Sequence, residues 1–151
     1  MVSYRGVQLA ASQTSRIDEP LRILVADDFG PFREALCRLL LSYEALTIVG
    51  EAADGDEAIE LAFRLTPDVI IMYVKMPRKS GIVATEQIKR NLPQVHVIGV
   101  STQNESFLKA SMKAAGFSTF VTKDCAHTLP AVIATITNRH MAQNYPLEGT
   151  A

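Results

Sequence analysis

Residues 22–28 of the chain read Arg-Ile-Leu-Val-Ala-Asp-Asp, a short apolar run that ends in two adjacent acids. An apolar run of this length is typical of a strand that is buried on both faces of a parallel sheet. Asp27 and Asp28 come directly after it. Because ligands of open α/β sheets bind at the carboxyl ends of the strands, the acid pair marks the edge where we expect a functional site.

Beyond this first strand, short apolar runs alternate with amphipathic stretches along most of the chain. The pattern predicts strands at 22–26, 46–51, 68–74, 95–100 and 117–122, and helices at 31–43, 55–65, 80–91, 105–115 and 126–140. Strands that alternate with helices through short connections indicate the α/β class, here a doubly wound five-stranded parallel sheet.

The two ends of the chain lack this alternation. Residues 1–20 are rich in Ser, Gln and Thr and are predicted to be a flexible N-terminal arm, followed by one domain at 21–140. Residues 141–151 contain Pro and Gly and are predicted to be a flexible tail or the start of a linker. Arg5 and Gln8 interrupt the mildly apolar first residues, which argues against a signal peptide.

Composition excludes several classes of function. The chain has 151 residues, of which 48% are hydrophobic and 21% charged, as in an ordinary soluble domain. Its net charge of -1 gives no basic surface for nucleic acid, and its apolar runs are too short to span a membrane. We therefore expect a cytoplasmic protein without direct nucleic-acid or membrane binding. Cys37 and Cys125 lack the spacing of metal ligands and are predicted to be buried thiols.

The other predicted strands also end in polar residues. Tyr73 and Lys75 lie at the end of the third predicted strand, Ser101 at the end of the fourth and Lys123 at the end of the fifth. Further short segments accompany them: Gly55 with Ala58, Met76-Pro77 with Gly81, Ala114-Ala115-Gly116, and Thr122-Lys123-Asp124. Together with Asp27-Asp28, this ordered set resembles the response-regulator receiver domain of two-component phosphorelay signalling, which has a CheY-like, flavodoxin-like (βα)5 fold. Thr122-Lys123-Asp124 is similar to the receivers of LuxR-type transcription regulators.

The resemblance implies phosphoryl transfer from a histidine kinase to an aspartate with the help of Mg²⁺, a cation that prefers oxygen ligands. By this resemblance, Asp28 would bind the metal directly and Asp27 through a water molecule. The backbone carbonyl of Lys75 would be a further ligand in this acidic pocket. The resemblance assigns the phosphoryl contacts and the switch to Lys123, Ser101 and Phe120.

Tyr73 departs from the family pattern. The segment Tyr73-Val74-Lys75-Met76-Pro77 aligns with the family's Asp-x-x-Met-Pro, so a tyrosine stands at the phospho-acceptor position. A phenol is neutral at pH 7, binds Mg²⁺ poorly and cannot form an acyl phosphate. We therefore expect weak or absent Mg²⁺ binding and a direct ion pair between Lys123 and Asp28. The ring of Tyr73 is expected to pack across the pocket or to point outward over the neighbouring loops.

Three functions are compatible with these residues. The first is an atypical receiver that acts without phosphorylation through a histidine kinase, another signalling protein or a homodimer. Its expected contact surface is formed by the fourth helix, the fifth strand and the fifth helix, or alternatively by the first and last helices. The residues expected in the first surface are Phe107, Lys109, Met112 and Phe120.

The second function is an ordinary receiver of a DNA-binding transcription regulator, in which the acceptor Asp was substituted and the helix-turn-helix domain lies outside this chain. The third is a phosphatase of the haloacid dehalogenase type. That chemistry needs a second acid two residues after the nucleophile, where Gly30 stands. We therefore do not expect an enzyme.

Overall fold

The structure is a computed structural model that describes residues 19–143. Most of the predicted N-terminal arm (1–20), namely residues 1–18, and most of the predicted tail (141–151), namely residues 144–151, lie outside the described residues. No described helix is both long enough and apolar enough to cross a membrane.

Five parallel strands form one sheet in the order β2-β1-β3-β4-β5. The strands are β1 Leu21–Ala26, β2 Leu46–Ala52, β3 Val69–Tyr73, β4 His96–Ser101 and β5 Thr119–Thr122. The helices are α1 Gly30–Leu41, α2 Gly55–Leu65, α3 Gly81–Asn91, α4 Lys109–Ala115 and α5 Leu129–Thr137. This arrangement confirms the predicted doubly wound five-stranded parallel sheet.

The sheet separates two apolar cores. Alternate side chains of β3 point to opposite faces, so Ile70 packs with α2, α3 and α4 while Ile71 packs with α1 and α5. Ile88 of α3 and Ile133 of α5 are the corresponding helical residues, and each is fully buried. Since burial of one such side chain contributes about 1.5–3 kcal/mol, the cover on both faces explains the continuous apolar runs of the strands.

The last third of the chain differs from the predicted boundaries. The fourth and fifth helices are preceded by 3-10 segments at Gln103–Leu108 and Lys123–Thr128. β5 begins at Thr119 rather than at Phe117, which is buried in the core after the left-handed Gly116 (φ 108°). The last helix ends at Thr137, because Asn138 adopts the left-handed conformation that commonly terminates helices.

The first residues of the predicted tail are packed on the domain. Gln143 forms an antiparallel bridge with Tyr43, and the backbone N–H of Glu44 donates to the carbonyl of Ala142 at 3.1 Å. The segment predicted to be a flexible tail or the start of a linker thus begins with residues whose backbone pairs with the residues that follow α1, and its flexibility stays a prediction.

The two cysteines differ in exposure. Cys37 of α1 is buried, as predicted, but Cys125 is exposed. The prediction for Cys125 was wrong because this residue lies in the 3-10 segment before α5, with non-helical backbone angles. Its side chain therefore does not follow the apolar face of the predicted helix.

The junction between β3 and α3 fixes the backbone at Tyr73. The N–H of Gly81 donates to the carbonyl of Val74 at 2.8 Å, and Ser80 caps the helix by accepting from the N–H of Val83 at 3.2 Å. A Cβ atom at Gly81 would lie 2.2 Å from the carbonyl oxygen of Tyr73, far inside van der Waals contact. Glycine therefore allows α3 to begin directly against the end of β3.

Candidate functional site

Polar groups from four strands meet at the carboxyl edge of the sheet. Asp27 follows β1, Tyr73 ends β3, Ser101 ends β4 and Lys123 follows β5. Because β1, β3, β4 and β5 are consecutive neighbours in the sheet, their ends lie side by side. The parallel topology alone therefore brings these four residues to one edge.

Asp27 is the buried anion of the site, with 2% of its surface exposed. Its Oδ1 accepts a hydrogen bond from the N–H of Phe29 at 2.8 Å, and the Nζ of Lys123 lies 3.1 Å from its Oδ2. Burial raises the pKa of Asp27, while the Phe29 N–H and the Lys123 ammonium act in the opposite direction. Arg33 of α1 donates to the backbone carbonyl of Asp27 at 2.6 Å and fixes this turn further.

Lys123 pairs with Asp27 and not with Asp28, so the expected Lys123–Asp28 pair was wrong. The hydrogen bond from Phe29 holds the Asp27 side chain inside the turn that leads from β1 to α1. The next residue, Asp28, lies on the outside of that turn and is exposed. The acid pair thus divides into one buried and one solvated carboxylate.

Two aromatic rings complete the surroundings of the Lys123 ammonium. Its Nζ lies 4.0 Å from the centroid of the Tyr73 ring and 4.5 Å from that of Phe32. Both distances are within the range of cation–π attraction. Tyr73 is half-buried and packs at the margin of both apolar cores, so its ring lies against the pocket.

Glu105, in the segment before α4, lies beside Tyr73 and is 2% exposed. Its Oε1 accepts from the N–H of Thr102 at 2.7 Å and from the Thr102 hydroxyl at 2.6 Å. Burial raises the pKa of Tyr73, and the negative charges of Glu105, Asp27 and Asp28 raise it further. The phenol is therefore neutral at physiological pH.

Glu105 was not among the residues predicted for this site. The spacing Thr102-x-x-Glu105 is that of a capping box, in which the acid accepts from the backbone N–H of the capping residue. That signal was available in the sequence and predicts the contact between Glu105 and the Thr102 N–H.

The remaining candidate residues lie around this centre. Ser101 is buried at the end of β4 and Phe120 is half-buried on β5, whereas Lys75 is exposed after β3. A hydrogen bond of 3.1 Å from Gln103 to Asp124 joins the loop after β4 to the segment after β5. The structure thus brings Asp27, Tyr73 and Lys123 into contact and leaves Asp28 and Lys75 at the rim.

The fit of the site to Mg²⁺ follows from its donor atoms. Within residues 19–143, no group of three or more His, Cys, Asp or Glu side chains is placed to hold a metal ion. Mg²⁺ requires oxygen ligands in near-octahedral geometry, and the Asp27 carboxylate already contacts an ammonium and a backbone N–H. The residues present therefore fit Mg²⁺ poorly.

The expected contact surface is only partly exposed. Phe107 is 72% exposed and Lys109 is also on the surface, but Met112 is fully buried. The assignment of Met112 to this surface was wrong, because its side chain packs inward against Gly99 of β4.

Residues 23–134 match the family described as the response regulator receiver domain. The chain is 45% identical over 97 residues to a protein-glutamate methylesterase/protein-glutamine glutaminase of Myxococcus xanthus, covering 64% of this chain and 27% of that protein. It is 34% identical over 117 residues to the transcriptional regulatory protein LnrK of Bacillus subtilis, covering 77% of this chain and 53% of LnrK. The chain thus spans about half or less of the length of these relatives.

Solved structures show the same fold. The response regulator domain of Thermotoga maritima CheB superposes with a TM-score of 0.74 at 31% identity, covering 81% of this chain and 99% of that domain. A LuxR-family two-component response regulator from an Aurantimonas species superposes with a TM-score of 0.72 at 30% identity, covering 83% of this chain and 91% of that one.

Proposed function

Since the chain belongs to the response regulator receiver family, we propose that it is an atypical receiver that is not phosphorylated at Tyr73. It acts in signal transduction through protein–protein contacts. Receiver domains of this family bind Mg²⁺ and interact with histidine kinases and other signalling proteins. The observation that carries the proposal is the contact of Lys123 with both Tyr73 and Asp27.

The chemistry of Tyr73 separates it from an acceptor aspartate. An aspartate attacks phosphorus through a carboxylate oxygen and forms a labile acyl phosphate, whereas a neutral phenol offers no such nucleophile. The pKa of Tyr73 is raised by its burial and by three nearby carboxylates, so ionisation to the phenolate is disfavoured. The chemistry of the Tyr73 side chain therefore supports the proposal beside the contacts of Lys123.

Lys123 supports the same conclusion. In a receiver with an acceptor aspartate, the ammonium at this position would neutralise the phosphoryl group, a role suited to a lysine on a flexible stem. Here it is paired with Asp27 and covered by the rings of Tyr73 and Phe32. The Asp27 carboxylate is thus neutralised by Lys123 without metal or phosphate, and we expect only weak Mg²⁺ binding.

Phosphorylation by acetyl phosphate in the presence of Mg²⁺ tests the proposal. The unmodified chain, Tyr73→Asp and the matched control Tyr73→Asn are compared by intact mass. We expect only Tyr73→Asp to gain a phosphoryl group, because only that variant supplies a carboxylate at the end of β3. Calorimetric titration of the same proteins should show tighter Mg²⁺ binding by Tyr73→Asp than by the unmodified chain.

Two results would contradict the proposal. A phosphoryl group on the unmodified chain would identify another acceptor. A Tyr73→Asp variant that remains unlabelled would show that Tyr73 does not stand at the acceptor position.

The self-association that we propose as one mode of action, through exposed residues such as Phe107, is tested by light scattering over a concentration series.

The second candidate is the receiver of a DNA-binding transcription regulator whose acceptor Asp was replaced by Tyr73. Its support is the likeness to the transcriptional regulatory protein LnrK, of which this chain covers 53%. The reading frame beyond residue 151 distinguishes the candidates. A helix-turn-helix domain there would favour the transcription regulator, and a stop codon would favour the independent receiver.

A further inference from the structure

We propose that the hydroxyl of Tyr73 donates a hydrogen bond to Oε2 of Glu105, and that this pair is a latch that holds the loop after β4 against the end of β3. The loop consists of residues 102–105. This inference goes beyond the proposed function, since it needs no phosphate chemistry and stands whichever residue, if any, is phosphorylated.

The first observation is the burial of Glu105. Taking a carboxylate out of water costs several kcal/mol unless partners compensate its charge. Oε1 has two such partners in the N–H and hydroxyl of Thr102. Oε2 is equally buried and has no hydrogen-bond partner among residues 19–143. Because buried polar atoms nearly always have a partner, this oxygen calls for a donor from a neighbouring side chain.

The second observation identifies that donor. Among the carboxylates near the phenol of Tyr73, Glu105 has the strongest influence on it and lies within reach of its hydroxyl. Lys123, the neighbouring cation, is already paired with Asp27 and lies over the face of the Tyr73 ring. Ser101, which is buried at the end of β4, also carries a hydroxyl and serves as the competing donor in the test.

The latch has a mechanical consequence for the edge of the sheet. Through its ring Tyr73 contacts Lys123 after β5, and through its hydroxyl it would reach Glu105 after β4. Glu105 in turn anchors Thr102, and Gln103 is hydrogen-bonded to Asp124. One tyrosine would thereby join the ends of three strands and keep the loop in a single arrangement without a bound anion.

Hydrogen exchange measured by mass spectrometry on the full chain tests the latch. Tyr73→Phe removes only the hydroxyl, and we expect amide exchange in residues 102–108 to accelerate about tenfold or more, as loss of a hydrogen bond to a charged acceptor predicts. Tyr43→Phe makes the same chemical change at a distant site and should leave this segment unchanged. Ser101→Ala should also leave it unchanged.

Unchanged exchange in Tyr73→Phe would overturn the inference, and so would acceleration in Ser101→Ala alone. A double-mutant cycle with Glu105→Gln gives a second readout through urea unfolding. We expect the effects of Tyr73→Phe and Glu105→Gln to be non-additive, because each removes the same contact. Strict additivity would overturn the latch even if both variants fold normally. Neither measurement involves phosphate, so failure of the phosphorylation experiment leaves this test intact.

Discussion

Lys123 is held by one ion pair and two cation–π contacts, and together these limit its ability to bind another group. Its ammonium is in ion-pair contact with Asp27 and lies over two aromatic rings. At a partly exposed site each ring contributes about 0.5–1 kcal/mol, and the ion pair is screened by solvent on the lysine side. Lys123 would have to give up these contacts to bind an incoming anion. At the residue scale, its ammonium is therefore already fully engaged.

The buried carboxylate of Asp27 makes stability depend on pH. Burial raises the folded-state pKa of Asp27 above its ordinary value of 3.8. Between that value and the raised pKa, the folded protein binds more protons than the unfolded chain. Stability therefore falls as pH rises through this window. We expect Asp27→Asn, which carries no charge, to lose this decrease, as measured by urea unfolding at a series of pH values from about 3 to 7.

Asp28→Asn is the matched control, since Asp28 is the exposed neighbour of Asp27. It should retain the fall in stability with rising pH. If Asp27→Asn follows the same pH profile as the unmodified chain, Asp27 does not carry the charge effect described here.

The sequence could place these side chains at one edge but could not assign their pairs. Strand ends that carry Asp27, Tyr73 and Lys123 are recognisable from apolar runs and parallel topology. The partner of Lys123 depends on a single hydrogen bond from Phe29, which turns Asp27 inward and leaves Asp28 outside. Because Asp27 and Asp28 are adjacent and identical, the sequence does not distinguish which of them turns inward. The roles of these residues in signalling remain predictions.

At the scale of elements, the junction of β3 and α3 fixes the position of the Tyr73 backbone. Gly81 begins α3 where a Cβ atom would lie 2.2 Å from the Tyr73 carbonyl oxygen. We expect Gly81→Ala to push α3 away from β3 and to destabilise the fold by about 1–3 kcal/mol, as overpacking does. Urea unfolding measures the loss.

Gly30→Ala is a matched control, because Gly30 also begins a helix but would place its Cβ no closer than 3.9 Å to the side chain of Arg33. That variant should be as stable as the parent or slightly more stable, since alanine restricts the unfolded chain. Equal effects of the two substitutions would show that the close approach at Tyr73 does not matter.

Helix boundaries were predictable where a local cap defines them. α2 runs over Gly55–Leu65, as predicted, because Asp54 accepts from the N–H of Glu57 and Thr66 ends the helix in a left-handed conformation. The 3-10 segments before α4 and α5 were not predictable from apolar spacing. A 3-10 turn and an α-turn differ by one residue in their hydrogen bonds, which a short amphipathic pattern does not resolve.

At the scale of the whole molecule, the two cores share one sheet and are expected to unfold together. Cys37 belongs to the core between the sheet and helices α1 and α5, where burial raises the pKa of its thiol to about 11. Cys125 lies on the surface. The two thiols therefore report separately on the intact surface and on opening of the core.

We expect a thiol-specific disulfide reagent to label Cys125 promptly at neutral pH and Cys37 only at the rate at which the core opens, since the thiolate is the reactive form. Both should react promptly in denaturant. Prompt labelling of Cys37 in the native protein would show that α1 separates from the sheet independently. Cys125→Ser removes the fast phase and isolates the slow one.

The ring of Tyr73 under the Lys123 ammonium also gives this protein an internal optical reporter. The chain contains no tryptophan and only four tyrosines, of which Tyr73 is half-buried against a fixed charge. Near-ultraviolet circular dichroism arises from aromatic rings held rigidly in asymmetric surroundings and disappears when that packing is lost. Any partner that displaced the ammonium would therefore change the spectrum of the protein without a dye, a label or an engineered chromophore.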